Sequence, residues 1–284
     1  MHRIRLRWGH GLSPWVKFTY LVLLANAVPA FVILMTAPAQ TQDWFVWTIK
    51  PPISARLLGV MYFNALLLVA IGFTRATWAE ARITLVVITT FSIAATLVTI
   101  FNIGPFLLHP WYHLAYWLSM YVILFVTSPY VLWQQQRRRD LVPFRASPLL
   151  YPARVIAALE LVVAGLLGVA LFVSPPTVSL LWPWNLTPLV GRMLGVWFTS
   201  LAVAYGWALW DGDWRRTWPI FWQAVPTGLL LAVLPLLHSA DVRTGAQGAI
   251  ALYLALALAT TMGGCVAAWS ARFARMAGPI RGAP

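Results

Sequence analysis

Cysteine and acidic residues are scarce in this chain of 284 residues, which has one cysteine, Cys265, and seven Asp and Glu. A single cysteine excludes an intrachain disulfide and a cysteine-based metal cluster. Charged residues make up only 10% of the chain, whereas hydrophobic residues make up 61%. A soluble domain of this length could neither bury so much apolar side chain nor cover its surface with so little charge. Composition therefore predicts a membrane protein.

Motifs for catalysis and cofactor attachment are absent as well. The sequence contains no GxxxxGK phosphate loop, no HExxH zinc motif, no GxSxG nucleophile elbow and no CxxCH haem motif. It also has no polar stretch long enough for an aqueous cofactor domain. The sequence therefore favours a protein that is not an enzyme, and it predicts no cofactor of these kinds.

Long apolar runs are the dominant pattern in the sequence. Eight of them approach the ~20 residues that a helix needs to cross a ~30 Å hydrocarbon core. They lie at about 15–37, 53–73, 83–104, 111–133, 153–174, 187–209, 217–237 and 247–270. Because the runs are continuous rather than alternating over ~10 residues, they favour helices over barrel strands. We therefore predict an all-α, polytopic membrane protein with eight transmembrane helices.

Basic residues indicate the orientation of these helices. The N-terminus, the second, fourth and sixth loops and the C-terminal tail hold sixteen of the twenty Lys and Arg. Since Lys and Arg collect on the cytoplasmic side of short loops, both termini are predicted to be cytoplasmic. The net charge of +13 is then a topological signal, so we expect no nucleic-acid partner. The strong excess of Arg over Lys favours a bacterial source and hence the bacterial inner membrane.

The phrase PPISARLLGV at 51–60 returns as TPLVGRMLGV at 187–196. At an offset of 136, five positions are identical, namely Pro52, Arg56, Leu58, Gly59 and Val60 with Pro188, Arg192, Leu194, Gly195 and Val196. This pattern predicts two tandem four-helix repeats, residues 1–136 and 153–284, joined by a basic cytoplasmic linker at 137–152. Because four is even, both repeats enter the membrane from the same side, which makes them parallel repeats.

Arg56 and Arg192 lie about one turn into the second and sixth spans, near the non-cytoplasmic face. One interpretation is that both side chains reach lipid headgroups beside a belt of tryptophans. The other is a paired anion site, in which two guanidinium groups bind a phosphate or carboxylate. The repeat is consistent with both interpretations.

Glu160 is the only acidic residue well inside an apolar run, so it is a second candidate for ligand or proton binding. Its alternative is structural pairing with a nearby basic residue such as Arg154. Thr99 and Asn102 complete the candidate ligand set. They belong to a polar stripe in the third span, whose hydroxyls either line a groove or bond back to their own helix.

Three histidines form a candidate metal or haem site. His109 and His113 occur in HPWYH with the i, i+4 spacing that places two ligands on one helical face, and His238 ends the seventh span. The histidines are also compatible with ordinary interfacial loops, and Pro110 argues against a helical His109.

The sequence thus predicts a protein that binds or moves a small anionic or lipid-like molecule at the outer half of the repeat interface. The expected partners are membrane lipids and this ligand. Two alternatives are an accessory or scaffold subunit of a larger membrane complex, and a membrane-embedded metal or haem protein that uses the outer histidines.

Overall fold

The computed structural model describes residues 12–75, 77–137 and 147–276, with side chains up to residue 272. The basic N-terminus, most of the predicted linker and the end of the tail lie outside the described residues.

Eight helices in the described chain are long and apolar enough to cross a membrane. They are α1 (Pro14–Thr36), α2 (Pro52–Thr74), α3 (Trp78–Phe101), α4 (Trp111–Gln136), α5 (Tyr151–Val173), α6 (Pro188–Asp211), α7 (Trp214–Leu237) and α8 (Gln247–Met276). The part of the chain that the structure describes contains no named strand, only one isolated bridge between Pro148 and Asp213. The prediction of an all-helical, multi-pass membrane protein is confirmed.

Helix α3 begins at Trp78 rather than at residue 83, which is where its apolar run begins. The additional turn contains Glu80 and Arg82, which form ion pairs with Arg215 and Asp211 respectively. These partners allow the helix to extend into a charged segment that hydropathy alone assigns to a loop.

Local sequence signals set several other helix ends. Pro52 and Pro188 occupy the first turns of α2 and α6, where the missing N–H of proline costs no hydrogen bond. The Asp213 carboxylate caps α7 by accepting the backbone N–H of Arg215. Gly212 ends α6 with a φ of 63°, a left-handed conformation that glycine adopts without steric cost.

The connections between helices gather at two ends of the bundle. At the basic end, which carries the α2–α3, α4–α5 and α6–α7 connections, Arg75 lies 5.2 Å from the ring centre of Trp218. At the opposite end, the Trp184 indole donates a hydrogen bond to the Ser54 hydroxyl at 3.1 Å. The opposite end also carries short helical turns, at Pro38–Gln40, Thr41–Trp44, Gly104–Leu107, Pro175–Leu181 and Ser239–Asp241.

Helices α2, α3, α6 and α7 form the centre of the bundle, and α1, α4, α5 and α8 lie outside them. In α3, 67% of the most apolar 18-residue stretch of the helix is buried in the protein, compared with 22% of the equivalent stretch in α5 and in α8. The closest pairs are α1–α2, α3–α4, α5–α6 and α7–α8, while α3–α6 and α2–α7 join the two halves. The outer helices therefore expose most of their surface to lipid.

Glycines allow α5 and α6 to approach closely. A Cβ atom added to Gly168 would lie 2.8 Å from the backbone nitrogen of Thr199, and one added to Gly195 would lie 2.9 Å from the carbonyl oxygen of Gly168. Gly165, one turn away, has its nearest neighbour at 3.8 Å. The close contact between α5 and α6 thus occurs at Gly168, and small residues at such contacts are typical of membrane helix pairs.

Candidate functional site

A cavity of about 510 Å³ lies in the second half of the bundle, between α5, α6, α7 and α8. Helix α2 contributes Met61 and Asn64 to its wall, and the segment before α6 contributes Trp182. Two lining residues, Leu159 of α5 and Leu252 of α8, are 62% and 59% exposed. The cavity is partly open, and these exposed leucines favour an opening between α5 and α8.

The wall of the cavity is mostly apolar, with a small group of polar side chains. These are Asn64, Glu160, Trp182, Tyr205, Gln223, Thr227, Tyr253 and Thr260. Glu160 of α5 and Thr260 of α8 both line the cavity, on the two sides of the α5–α8 gap. Gln223 donates a hydrogen bond from Nε2 to the Ile220 carbonyl at 3.1 Å, so this side-chain N–H is already bonded within α7. An apolar pocket with a few polar groups is the usual form of a small-molecule site.

Glu160 is the only acidic or basic residue among the lining residues. No ion pair joins it to any described Lys, Arg or His. Arg154, which the sequence offered as a partner, instead donates its Nε to the Leu149 carbonyl at 2.9 Å. The Glu160 side chain therefore lies in the cavity without a cationic partner from the described residues.

Asn64 was not among the residues singled out from the sequence, although an amide in an apolar run is a detectable signal. Its side chain is 2% exposed and lines the cavity, and its Oδ1 has no hydrogen-bond partner. A buried polar atom without a partner is uncommon in folded proteins and costs free energy.

A second, much smaller cavity of about 20 Å³ occupies the first half of the bundle. With an offset of 137 for α1 and of 136 for the other helices, nine of its lining positions correspond to lining positions of the large cavity. At four of them the polar residues of the large cavity, Glu160, Tyr205, Gln223 and Thr227, correspond to Leu23, Val69, Val87 and Phe91. The two cavities therefore differ in both volume and polarity.

Arg56 and Arg192 are half-buried near the opposite end, and neither lines the large cavity. Arg192 donates Nη1 to Oδ1 of Asn102 at 2.5 Å, which joins α6 to the end of α3. Asn102 itself donates Nδ2 to the Val98 carbonyl at 2.8 Å. The Nε of Arg56 is buried and has no hydrogen-bond partner. The two arginines thus have different local surroundings.

Thr99 is fully buried in the packing between α3 and α4. Its hydroxyl donates to the Ala95 carbonyl at 2.8 Å and accepts the Trp117 indole N–H at 3.0 Å. Side-chain hydrogen bonds to carbonyls of the same helix are donated by all five polar residues of the α3 stripe, which are Thr89, Ser92, Thr96, Thr99 and Asn102. The interpretation that this stripe bonds back to its own helix is therefore confirmed.

The histidines lie at the opposite end. His109 precedes α4, so the expectation that it shares a helical face with His113 is wrong, and Pro110 before the first helical residue is the reason. The rings of His109 and His113 are 6.1 Å apart, and His238 pairs with Asp241 at 3.2 Å. Among the described residues, no group of three or more His, Cys, Asp or Glu is arranged to hold a metal ion.

The pKa of His109 is lowered from its ordinary value of 6.5. Partial burial is the largest cause, and the nearby charge of His113 lowers it further, while Asp43 acts in the opposite direction. Burial and His113 outweigh Asp43, so the surroundings favour the neutral form of His109.

A buried charge cluster at the basic end was missed from the sequence, because its arginines were read only as topological signals. Asp211 binds Arg82 at 2.6 Å and Arg216 at 3.1 Å, and the three side chains are 3% to 7% exposed. The signal that could have identified the cluster is the presence of Glu80, Asp211 and Asp213, three of the seven acidic residues, beside these arginines.

The chain matches no protein-family model, no curated protein and no solved structure.

Proposed function

We propose that this multi-pass membrane protein binds a lipid-like molecule in the cavity between α5 and α8. The observation that carries the proposal is a partly open cavity of about 510 Å³ with an apolar wall, whose α5 and α8 sides carry exposed leucines. Its volume is within the range of about 300–1,000 Å³ that small-molecule sites occupy. Because the opening faces lipid, a hydrophobic ligand can enter without crossing water.

The physical basis of selectivity follows from the surroundings of the site. Lipid tails are as apolar as the cavity wall, so moving a hydrocarbon chain from the bilayer into the cavity gains little from the hydrophobic effect. Selective binding must then come from packing and from the polar groups around Glu160. Such a site favours an amphiphile with a polar head over a plain hydrocarbon, because only the amphiphile can interact with these polar groups.

The test is retention of a bound amphiphile after gentle extraction in detergent, measured by native mass spectrometry. Thr227→Phe introduces at α7 the residue found at the corresponding position of the small cavity, Phe91, and should abolish retention. Leu166→Phe is the matched control, because Leu166 is 68% exposed and does not line the cavity. Equal retention in the wild type and in Thr227→Phe, or no amphiphile in the wild type, would overturn the proposal. Stoichiometric co-purification of another subunit instead would favour the scaffold alternative.

A small anion held by Arg56 and Arg192 is the second candidate function. The observation that favours it is the buried Nε of Arg56, which lacks a hydrogen-bond partner. Arg56→Gln should then weaken binding of inorganic phosphate measured by calorimetry, whereas Arg75→Gln at the basic end should not. Phosphate binding that is absent in the wild type would exclude this candidate.

The architecture that we propose is two tandem, parallel four-helix repeats, with both termini on the cytoplasmic side of a bacterial inner membrane. Exchanging the halves converts each close helix pair into another: α1–α2 into α5–α6, α3–α4 into α7–α8, and α3–α6 into α7–α2. The outer connections also use similar bonds, since Thr41 accepts the Ile49 N–H at 2.9 Å and Ser179 accepts the Leu186 N–H at 3.0 Å. Both features support duplication of a four-helix unit.

The orientation is testable with single cysteines in a Cys265→Ala background. An impermeant maleimide added to intact spheroplasts should label Thr244→Cys at the opposite end and spare Tyr151→Cys at the basic end. Inverted membrane vesicles should give the reverse result. Labelling of Tyr151→Cys in intact spheroplasts would refute the proposed orientation.

A further inference from the structure

Glu160 differs from the other acidic side chains whose partners the structure records. Asp211 and Glu80 pair with arginines, and Asp241 pairs with His238 and accepts the Ile53 N–H. Glu160, by contrast, forms no ion pair with any described Lys, Arg or His. A carboxylate inside a membrane span is costly unless it is paired, so such residues usually mark functional positions.

The depth of Glu160 strengthens this argument. It is the tenth residue of α5, which at 1.5 Å per residue places it roughly 13 Å from the start of the helix. That depth is near the middle of a hydrocarbon core about 30 Å thick. A carboxylate that deep in a membrane span is stabilised by a counter-charge from the protein or from a ligand in the cavity.

Asn64 gives a second, independent indication of a ligand. It projects from α2 into the same cavity, is 2% exposed, and has an Oδ1 without any donor. A ligand that carries N–H groups would supply this missing donor as well as a hydrogen bond to Glu160.

The small cavity of the first half provides an internal comparison. It has Leu23 at the position of Glu160 and Trp197 at the position of Met61, and only about 20 Å³ of space remains. Space and a carboxyl group without an ion pair therefore occur together in one half and are both missing from the other. This combination is expected of a binding site that has developed in one of two related units.

We infer that the ligand of the large cavity is a cationic amphiphile, an alkyl amine whose protonated nitrogen binds Glu160 and donates to Asn64 while its apolar chain lies between α5 and α8. The inference rests on the proposed function and adds the charge of the head. An anionic head would be repelled by Glu160, since no basic residue lines the cavity to offset it. A neutral alcohol would hydrogen-bond but would leave the carboxylate without a counter-charge. A protonated amine satisfies both requirements, because charge-assisted hydrogen bonds are the stronger ones.

The experiment compares three probes with the same twelve-carbon chain: dodecylamine, dodecanol and dodecanoate. Each is titrated into the purified full chain in a neutral detergent, and binding is followed by calorimetry. We expect the wild type to bind dodecylamine at least tenfold more tightly than dodecanol, and dodecanoate most weakly. Glu160→Gln, which keeps the shape and removes the charge, should reduce the amine preference to less than threefold. Glu80→Gln is the matched control and should keep the preference, because Glu80 pairs with Arg215 away from the cavity.

Asn64 supplies a second variant in case Glu160→Gln does not fold. Asn64→Leu should weaken dodecylamine about tenfold but leave dodecyltrimethylammonium within twofold, because the quaternary head carries charge without an N–H donor. Loss of affinity for both probes in equal measure would contradict the role assigned to Asn64.

The outcomes separate the two proposals. If all three twelve-carbon probes bind with similar affinity and Thr227→Phe abolishes their binding, the proposed function stands and the inference about charge fails. An amine preference that survives Glu160→Gln also overturns the inference. If none of the probes binds the wild type, the proposed function and the inference fail together.

Discussion

Replacing Asp211 with asparagine should destabilise the protein by about 3–5 kcal/mol, the usual cost of removing one partner from a buried ion pair. The Asp211 carboxylate holds Arg82 through Oδ2 at 2.6 Å and Arg216 through Oδ1 at 3.1 Å. The exposed fractions of the Asp211, Arg82 and Arg216 side chains are 3%, 3% and 7%. Asparagine keeps the shape of this side chain but removes its charge, so buried Arg82 loses its carboxylate partner while Arg216 keeps that of Asp213 at 3.8 Å.

The size of the effect depends on how well water screens the cluster. Two unit charges 4 Å apart interact by about 4 kcal/mol at an effective dielectric constant of 20, and by about 1 kcal/mol in bulk water. The low exposure of all three side chains argues for the larger value. The ring of Trp207, whose centre is 5.6 Å from Arg82, stabilises a cation only weakly by comparison.

The measurement is the free energy of unfolding in mixed detergent micelles, followed by tryptophan fluorescence. Glu80→Gln is the matched control, because its partner Arg215 is 59% exposed and solvent screens that pair to at most about 1 kcal/mol. A loss below about 1 kcal/mol for Asp211→Asn would refute the reasoning and would mean that water reaches the cluster. Arg82→Met combined with Asp211→Leu should recover much of the stability, since no unpaired charge from this pair remains.

Three further predictions concern other parts of the bundle. Gly168→Ala should lower the free energy of unfolding by about 1–3 kcal/mol through overpacking, because the added Cβ would lie 2.8 Å from a backbone nitrogen of α6. Gly165→Ala is the control and should be close to neutral in the same assay, because its Cβ would have its nearest neighbour at 3.8 Å. In an NMR titration, His113→Gln should raise the pKa of His109 toward 6.5, since it removes one of the two causes that lower it; an unchanged value would contradict the assignment. Because the folded pKa of His109 is lowered, its contribution to stability should be lost as the pH falls below about 6.5, and His109→Gln should remove that dependence. Trp184→Phe should reduce the stability of the contact between the halves by about 1–2 kcal/mol, since it deletes a buried hydrogen bond at 3.1 Å; a loss below 0.5 kcal/mol would contradict it.

The helix ends show which boundaries can be predicted from local sequence and which cannot. The apolar run that begins at residue 53 predicted α2 to within one residue, because Pro52 starts the helix and hydropathy continues to its end. The start of α3 was missed because Glu80 and Arg82 resemble loop residues until their partners on α6 and α7 are known. The partner of Arg82 is 129 positions away in the sequence, and no local pattern indicates such a pairing.

The candidate site likewise has some features that the sequence predicts and others that depend on the tertiary structure. Glu160 was identifiable from the sequence as a carboxylate in an apolar run, but its lack of a cationic partner was not, since Arg154 was close enough in sequence to suggest one. Asn64 entered the site only because α2 places it in a cavity that α5–α8 form.

The sequence by itself determined that eight helices form and that each is able to cross a membrane. The physical reason is that, without water, every backbone N–H and C=O must bond within its own segment, so length and hydropathy are sufficient to predict each span. Only the tertiary structure decided which polar side chains meet and where space remains. Those outcomes depend on how each helix is rotated and how closely it approaches its neighbours, and contacts at glycines such as Gly168 or gaps such as that beside Glu160 arise between segments far apart in the chain.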